Sequence, residues 1–401
     1  MTTDTPPPRH TVGFDPGELE PLLASVAEGA AARERDRLAP HDAIRLLARS
    51  GVGTLRVPSA HGGPGRSLRD VFELVIRLAE ADSNIAQSLR AHFHFVEARL
   101  AAVDDAERVR WFPEVLRGFI FGNATVERTT RDMFGFETTL TTAGDAYVLR
   151  GTKYYSTGSL YADRVAVAAV GPGGKVVSAI VPVDRRGVHL EDDWDGMGQR
   201  LTASGTSRFE DVVVAPDEVL ASPIGQESPA PRSAFLQLYL VAVMAGIVRN
   251  VATDAARVVR GRTRTFSHAS GDAPATDPLI QQVVGRIAAD AYAAEAVVLA
   301  AAGALDAAEA SAPGAAPDPD AVHEAASQAA KAQVIVAELA PRAAELLFGV
   351  GGASATSREL NLDRHWRNAR TLASHNPAMY KARAIGDLLI NEQRLPANGF
   401  F

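Results

Sequence analysis

Gly151-Thr-Lys-Tyr-Tyr-Ser-Thr-Gly158, read with Asp192-Asp-Trp-Asp-Gly-Met-Gly-Gln-Arg-Leu-Thr-Ala-Ser-Gly-Thr206, decides the fold of this chain. Both stretches are dense in Gly, Ser, Thr and Asp, the residues that end strands and form turns. Around them the sequence alternates as strands do. Thr138–Leu140 and Tyr147–Leu149 flank the turn Ala143-Gly-Asp-Ala146, and Arg164–Val170 and Lys175–Val183 flank Gly171-Pro-Gly-Gly174, so two hairpins are expected. Val188–Leu190 and Ser207–Val214 add strands. Residues 121–220 therefore read as a small antiparallel β domain set between two helical regions.

Working outward, residues 15–120 read as an N-terminal helical domain and 221–401 as a C-terminal helical bundle. Asp15-Pro16 opens the first helix, and Gly51 stops the amphipathic run from Pro40. Leu55–Pro58 reads as extended. Ser67–Ala81 carries Leu68, Val71, Phe72, Val75 and Leu78 on one helical face, and Ile85–Leu100 continues as a second helix. Beyond the β domain, three long Ala-rich helices are expected at about 233–268, 278–310 and 320–348, with a last one at about 377–393. Their Ala content permits close approach, as in a four-helix bundle. The fold class is thus α+β, mostly α.

The 401 residues suffice for two or three domains. A formal net charge of -7 argues against a nucleic-acid binder. With no cysteine there is no disulfide, thiolate metal site or cysteine nucleophile. No metal site is expected. No uninterrupted apolar run approaches the roughly 20 residues of a membrane span. Residues 1–14, Thr- and Pro-rich at their start, lack the basic and apolar parts of a signal peptide, so a frayed terminus and a cytoplasmic protein are expected.

Phe121-Gly-Asn-Ala-Thr-Val-Glu127 and Tyr155-Ser-Thr-Gly158 lie at strand ends. There, backbone N–H, amide and hydroxyl groups can meet a flat polar ring such as an isoalloxazine, although the same residues also make ordinary turns. Leu347-Phe-Gly-Val-Gly-Gly-Ala-Ser354 lacks both the Gly-x-Gly-x-x-Gly spacing and a βαβ setting, which disfavours a nicotinamide-binding fold. His92 and His94 are two apart on one helix and face different sides, so they are poor joint metal ligands.

In their order and spacing these segments resemble the acyl-CoA dehydrogenase superfamily, over about residues 15–395. The wording is similar to its oxygenase branch, which includes the dibenzothiophene monooxygenases. The resemblance implies that Asn123, Thr125, Ser156 and Thr157 contact the flavin and that Trp194 shields it. It also implies that Arg264, with Arg262 as the second choice, pairs with a flavin phosphate, often a neighbouring subunit's, and that Gly351 and Gly352 let backbone approach the cofactor. Leu362-Asp-Arg-His-Trp-Arg-Asn-Ala-Arg-Thr371 resembles the family's Arg-x-x-Arg-Asp signature, with Asn368 in place of Asp.

The loop after it separates two chemistries. An acyl-CoA dehydrogenase needs a glutamate base, and here the loop reads Leu372-Ala-Ser-His-Asn-Pro377. No glutamate lies between Glu227 and Glu295 either, which removes the alternative position on the first long bundle helix. The loop resembles the oxygenase branch's His-Asp-Pro, with Leu372 where that branch has a first histidine. The resemblance therefore implies a flavin-dependent monooxygenase fed with reduced FMN or FAD by a separate NAD(P)H-dependent reductase. O2 adds at flavin C4a, and the hydroperoxide oxygenates S, N or electron-rich C of a small organic substrate. His375 is the first catalytic candidate, Ser156 and Asn123 would steady the flavin adduct, and His92 would point at the substrate. The family is usually a homotetramer. An amino-sugar or natural-product N-oxygenase, an acyl-CoA dehydrogenase with an unrecognised base, and a non-catalytic scaffold remain the alternatives.

Overall fold

A computed structural model describes residues 11–102, 105–128, 135–222, 231–312, 316–396 and 401. Helices come first: α1 (Leu19–Ala27), α2 (Ala30–Asp36), α3 (His41–Arg49), α4 (Leu68–Ala81), α5 (Ser83–Ser88), α6 (Arg90–Leu100) and α7 (Asp105–Leu116). Strands follow: β1 (Phe121–Ala124), β2 (Thr139–Ala143), β3 (Ala146–Lys153), β4 (Arg164–Val170), β5 (Val176–Pro182), β6 (Val188–Leu190), β7 (Ser207–Val214) and β8 (Val219–Ala221). Then come α8 (Pro231–Gly261), α9 (Pro278–Ala310), α10 (Pro319–Gly351), α11 (Arg364–Ala373) and α12 (Ala378–Asn391).

Local chemistry sets these boundaries. Ser67 and Asp70 form a reciprocal capping box at the start of α4. The Asp82 carboxylate accepts from Asn84 and Ile85 N–H and starts α5. The helix expected over 85–100 is in fact two, because the chain turns at Leu89. Asp277-Pro278 and Asp318-Pro319 open α9 and α10, and Gly352, at φ +60°, ends α10. The first long helix stops at Gly261, short of the expected 268: the chain turns as Arg262 donates to Val350 O, and two β-branched threonines follow. Leu55–Pro58 forms turns rather than an extended segment.

The sheet runs β6-β7-β3-β2-β4-β5-β8, with β1 on β4. It is mixed, not antiparallel throughout: β1 runs parallel to β4, because the chain reaches β1 from α7 rather than through a hairpin. The ladder between β3 and β7 shifts register between Leu149 and Gly151. A Cβ on Gly151 would lie 2.3 Å from Thr138 Oγ1, so glycine is required there. Phe121 of β1 stacks on Phe95 of α6 at 3.9 Å, with Trp111 edge-on, and fastens the sheet to the first helices.

The core of the helical part centres on α8, which packs on α4, α9 and α10, while α11 and α12 lie on α10. A Cβ at Gly246 would come within 2.4 Å of Ile76 O, so glycine permits the α4–α8 approach. By length and composition α8 and α9 could each cross a membrane, contrary to the reading of the sequence. Scattered charges such as Arg249 interrupt the strict apolar run without removing the hydropathy. In α8, 83 % of the apolar window is buried inside the fold, as in a core helix; in α9 it is 39 %. The fraying expected over 1–14 lies outside the described residues for 1–10; at 11–14, Val12 N–H donates to Leu116 O and Gly13 and Phe14 lie against Gly51.

Candidate active site

Four of the candidate residues meet where β1 and β3 end. Ser159 Oγ donates to Asn123 O at 3.0 Å and ties β1 to the Tyr155–Gly158 turn. Tyr154 N–H donates to Val126 O, which holds the segment carrying Thr125 against the same turn. Beneath it a buried pair, Lys153 Nζ to Glu127 Oε1 at 2.6 Å, clamps the two segments. Burial pushes the Glu127 carboxyl up, but bonds from Lys153, Glu137 N–H and Thr138 outweigh it, and the pKa lies below its usual value.

Thr157 and Ser156 differ in what their hydroxyls can do. Thr202 Oγ1 donates to Gln199 O, Ser204 bonds Thr202, and Thr157 bonds Ser204 at 2.8 Å. Each hydroxyl has one proton, so Ser204 donates to Thr202 and Thr157 donates to Ser204. Thr157 is thereby committed to the 199–205 loop. Ser156 Oγ is buried with no partner. An unanswered buried hydroxyl costs about 1–3 kcal/mol, and this one is open to a group from outside the chain.

Backbone strain gathers at the same place. Tyr155, Gln199 and Ala203 have φ of 58°, 52° and 52°, unusual for residues with a side chain. Tyr155 is exposed and meets Trp194 edge-on at 5.9 Å. Trp194 Nε1–H donates to Gln199 O at 3.0 Å, which fixes the indole beside the turn. Asn368 ties this loop to the helices: its Oδ1 accepts Gln199 N–H at 2.6 Å and its Nδ2 donates to Ser83. Arg364 and His365 of the same helix bond Asp254, and Arg367 bonds Glu34, so α11 acts as a clamp.

The histidines part company. His92 is fully buried; its Nε2–H donates to Gly53 O at 2.8 Å and its Nδ1 accepts Phe121 N–H. Both nitrogens are occupied, so His92 joins the first helices to β1 and does not point at a substrate. Burial, only partly offset by the Gly53 bond and Asp163, pulls its pKa down to about 4. His375 keeps open surface, and its backbone N–H donates to Leu372 O at 3.1 Å. Burial first, then the nearby Arg90 guanidinium, pulls its pKa down to about 3. The imidazole is neutral at working pH. Arg90 follows Ser88, whose carbonyl would meet a Cβ on Gly158 at 2.2 Å, so the His375–Arg90 corner adjoins the Ser156 turn. The sequence offered no signal for Arg90 or for the Lys153–Glu127 pair, since their neighbours are distant in the chain.

Arg262, Gly351 and Gly352 form a second locus at the far end of α8. Arg262 donates to Val350 O, lies 5.9 Å from the Phe266 ring and faces Gly352. Arg264 stands two residues further on and is exposed. From Tyr239 to Gly261, α8 spans about 33 Å. A surface hollow of about 490 Å³ beside Asp145, Arg185 and Glu218 holds none of the candidates, and its Arg185 and Glu218 are bonded to each other.

The chain is similar to known proteins along most of its length. Residues 124–212 match the acyl-CoA dehydrogenase middle domain and 238–379 its C-terminal domain. The chain is 30 % identical to a probable FMNH2-dependent monooxygenase, SfnC, of Pseudomonas putida, over 98 % of both chains. It is similar to the structure of TdsC, a dibenzothiophene monooxygenase of Paenibacillus sp. A11-2, in complex with FMN and indole, with a TM-score of 0.86 and 29 % identity over 96 % of this chain and 100 % of that one. Methanesulfinate monooxygenase MsuC of Pseudomonas fluorescens gives a TM-score of 0.85 and 28 % identity over 97 % of this chain and 100 % of that one.

Proposed function

This chain belongs to the acyl-CoA dehydrogenase superfamily, in its flavin-dependent monooxygenase branch, and we propose that it oxygenates the sulfur of a small organic compound. Its cofactor is reduced FMN, with O2 as co-substrate. The observation that carries the reading is the buried, unpartnered Ser156 hydroxyl at a strained turn, which fits a polar ring seated there. When bound, reduced FMN supplies two electrons and two hydrogens, so that one oxygen atom of O2 enters the substrate and the other leaves as water.

The chain's own residues position and protect. Asn123, Thr125 and Ser156 would hold the flavin ring, and Thr157 fixes the turn through Ser204. Trp194 and Tyr155 would exclude water from it. His375, neutral at working pH, acts as a hydrogen-bond donor toward the oxygen being transferred rather than as a proton reservoir. Arg262, with Gly351 and Gly352, would take a phosphate; at the far end of α8 it serves the flavin of a neighbouring copy. We take the assembly to be a homotetramer formed through residues 221–401, as the resemblance implies, with the flavin cradle in 121–220. Residues 15–120 and a separate cytoplasmic NAD(P)H-dependent reductase complete the system.

The test supplies reduced FMN from a separate reductase and offers methanesulfinate and dibenzothiophene under isotopically labelled O2. One labelled atom per product is expected, and His375→Ala should lower coupled turnover about 10²-fold. Unlabelled product, or no product from either compound, would contradict the proposal.

A further inference from the structure

Arginines packed into this protein are typically answered by carboxylates. Arg56 bonds Glu97 and Glu309, Arg164 bonds Glu114, Arg249 bonds Glu80 and Glu295, and Arg367 bonds Glu34 and Asp363. Arg90 departs from this. It lies on the first turn of α6, half-buried, with Nε donating to Leu236 O at 3.2 Å. Among the described residues no carboxylate pairs with it, and none accepts from its two terminal nitrogens.

Its neighbours come from separate elements. Tyr239 of α8 is close, with its hydroxyl donated to Ala86 O at 2.8 Å. Asn376 donates its side-chain amide to Gln237 of α8 and accepts from Gln333 of α10 at its carbonyl, 3.1 Å away. Gln333 retains a buried Oε1 with no partner. His375 is near enough for Arg90 to oppose its protonation. Two residues before Arg90, the Ser88 carbonyl lies against Gly158 of the turn that carries Ser156.

A half-buried guanidinium with no counter-charge has lost part of its water without gaining an ion partner, and an anion that completes it makes up that loss. Its planar fork suits the paired oxygens of an oxyanion better than a neutral ring. The geometry points to Arg90 as the recognition residue for a negatively charged organosulfur substrate, an alkanesulfinate, with its oxygens on the guanidinium and its sulfur toward the Ser156 turn. This rests on the monooxygenase reading and narrows its substrate class. The sulfur lone pair accepts one oxygen atom of O2; the second leaves as water with the two hydrogens and two electrons of reduced FMN, and sulfinate becomes sulfonate. Burial lowers the Arg90 guanidinium to about 10, so it keeps its charge at neutral pH.

Methanesulfinate, and propanesulfonate as an inert mimic whose sulfur has no lone pair, would be titrated calorimetrically into the full chain with FMN present. Both should bind the wild type, weaken at least about 30-fold in Arg90→Met and recover in part in Arg90→Lys, with FMN affinity equal in all three. Thermal unfolding gives an independent arm. Without anion, Arg90→Met should melt no lower than the wild type, and either anion should raise the midpoint of the wild type alone. Three results would overturn the assignment: equal anion binding by Arg90→Met, lost FMN affinity with anion binding intact, or wild-type binding of dibenzothiophene but of neither anion. Failure of the wild type to bind FMN would instead remove the monooxygenase reading and take the anion assignment with it.

Discussion

The Tyr155–Gly158 turn and the Arg90–His375 corner meet at the junction of α5 and α6, and they are built in opposite ways. At the turn, polar groups answer one another over short distances: Thr157 to Ser204, Ser204 to Thr202, Glu127 to Lys153, Asn123 to Ser159. One hydroxyl, that of Ser156, is left over. At the corner the unanswered group is a whole positive charge, and its neighbours come from α6, α8, α10 and the loop after α11. A single spare hydroxyl suits a neutral ring edge, and a spare guanidinium suits an anion. On the proposed reading, the two halves of the site divide the work of holding cofactor and substrate.

The largest effect should come from breaking the turn's foundation. Lys153→Met leaves Glu127 charged, buried and without its cation, which should cost about 3–5 kcal/mol of stability in urea unfolding. A loss under about 1 kcal/mol would mean that the Glu137 and Thr138 N–H groups suffice to hold the carboxylate.

Next is the seam between the first helices and β1. The folded pKa of His92 is about 4, below the roughly 6.5 of a free histidine, so the unfolded chain binds the proton more readily. Its contribution is complete above about pH 6.5 and is lost as pH falls toward 4, about 3 kcal/mol in all. His92→Gln should flatten the pH dependence of unfolding across that window; an unchanged slope would show that His92 does not titrate as a buried neutral ring.

The smallest effect sharpens the contrast inside the turn itself. Ser156→Ala should stabilise the flavin-free protein by about 1 kcal/mol, since it removes an unanswered polar atom, whereas Thr157→Ala should destabilise it by a similar amount. Thermal unfolding reads both, and the same sign for the two would erase the distinction.

What the sequence revealed follows the same division. Turns and helix spans are local chemistry, so the Ala143–Ala146 hairpin and the helix over 278–310 were legible. So was the Ser-Thr-Gly turn, although not which hydroxyl stays free. That depends on Ser204, 47 positions from Thr157. His92, which the resemblance turned toward the substrate, is instead enclosed by Gly53 and Phe121, neighbours that lie far from it in the chain. Arg262 rather than Arg264 stands at the glycine turn because α8 ends seven residues early, at Gly261 instead of 268. Arg90 left no trace in the sequence, since an absent counter-charge is a property of the assembled fold.

The central claim is that this chain governs the reaction of reduced FMN with O2. The most direct measurement mixes the anaerobic protein carrying reduced FMN with oxygenated buffer, with and without methanesulfinate, and follows flavin absorbance together with hydrogen peroxide release. Reoxidation should be delayed relative to free reduced FMN, and methanesulfinate should divert oxygen from peroxide into product. Reoxidation at the free-flavin rate, with full peroxide release in both cases, would contradict the claim.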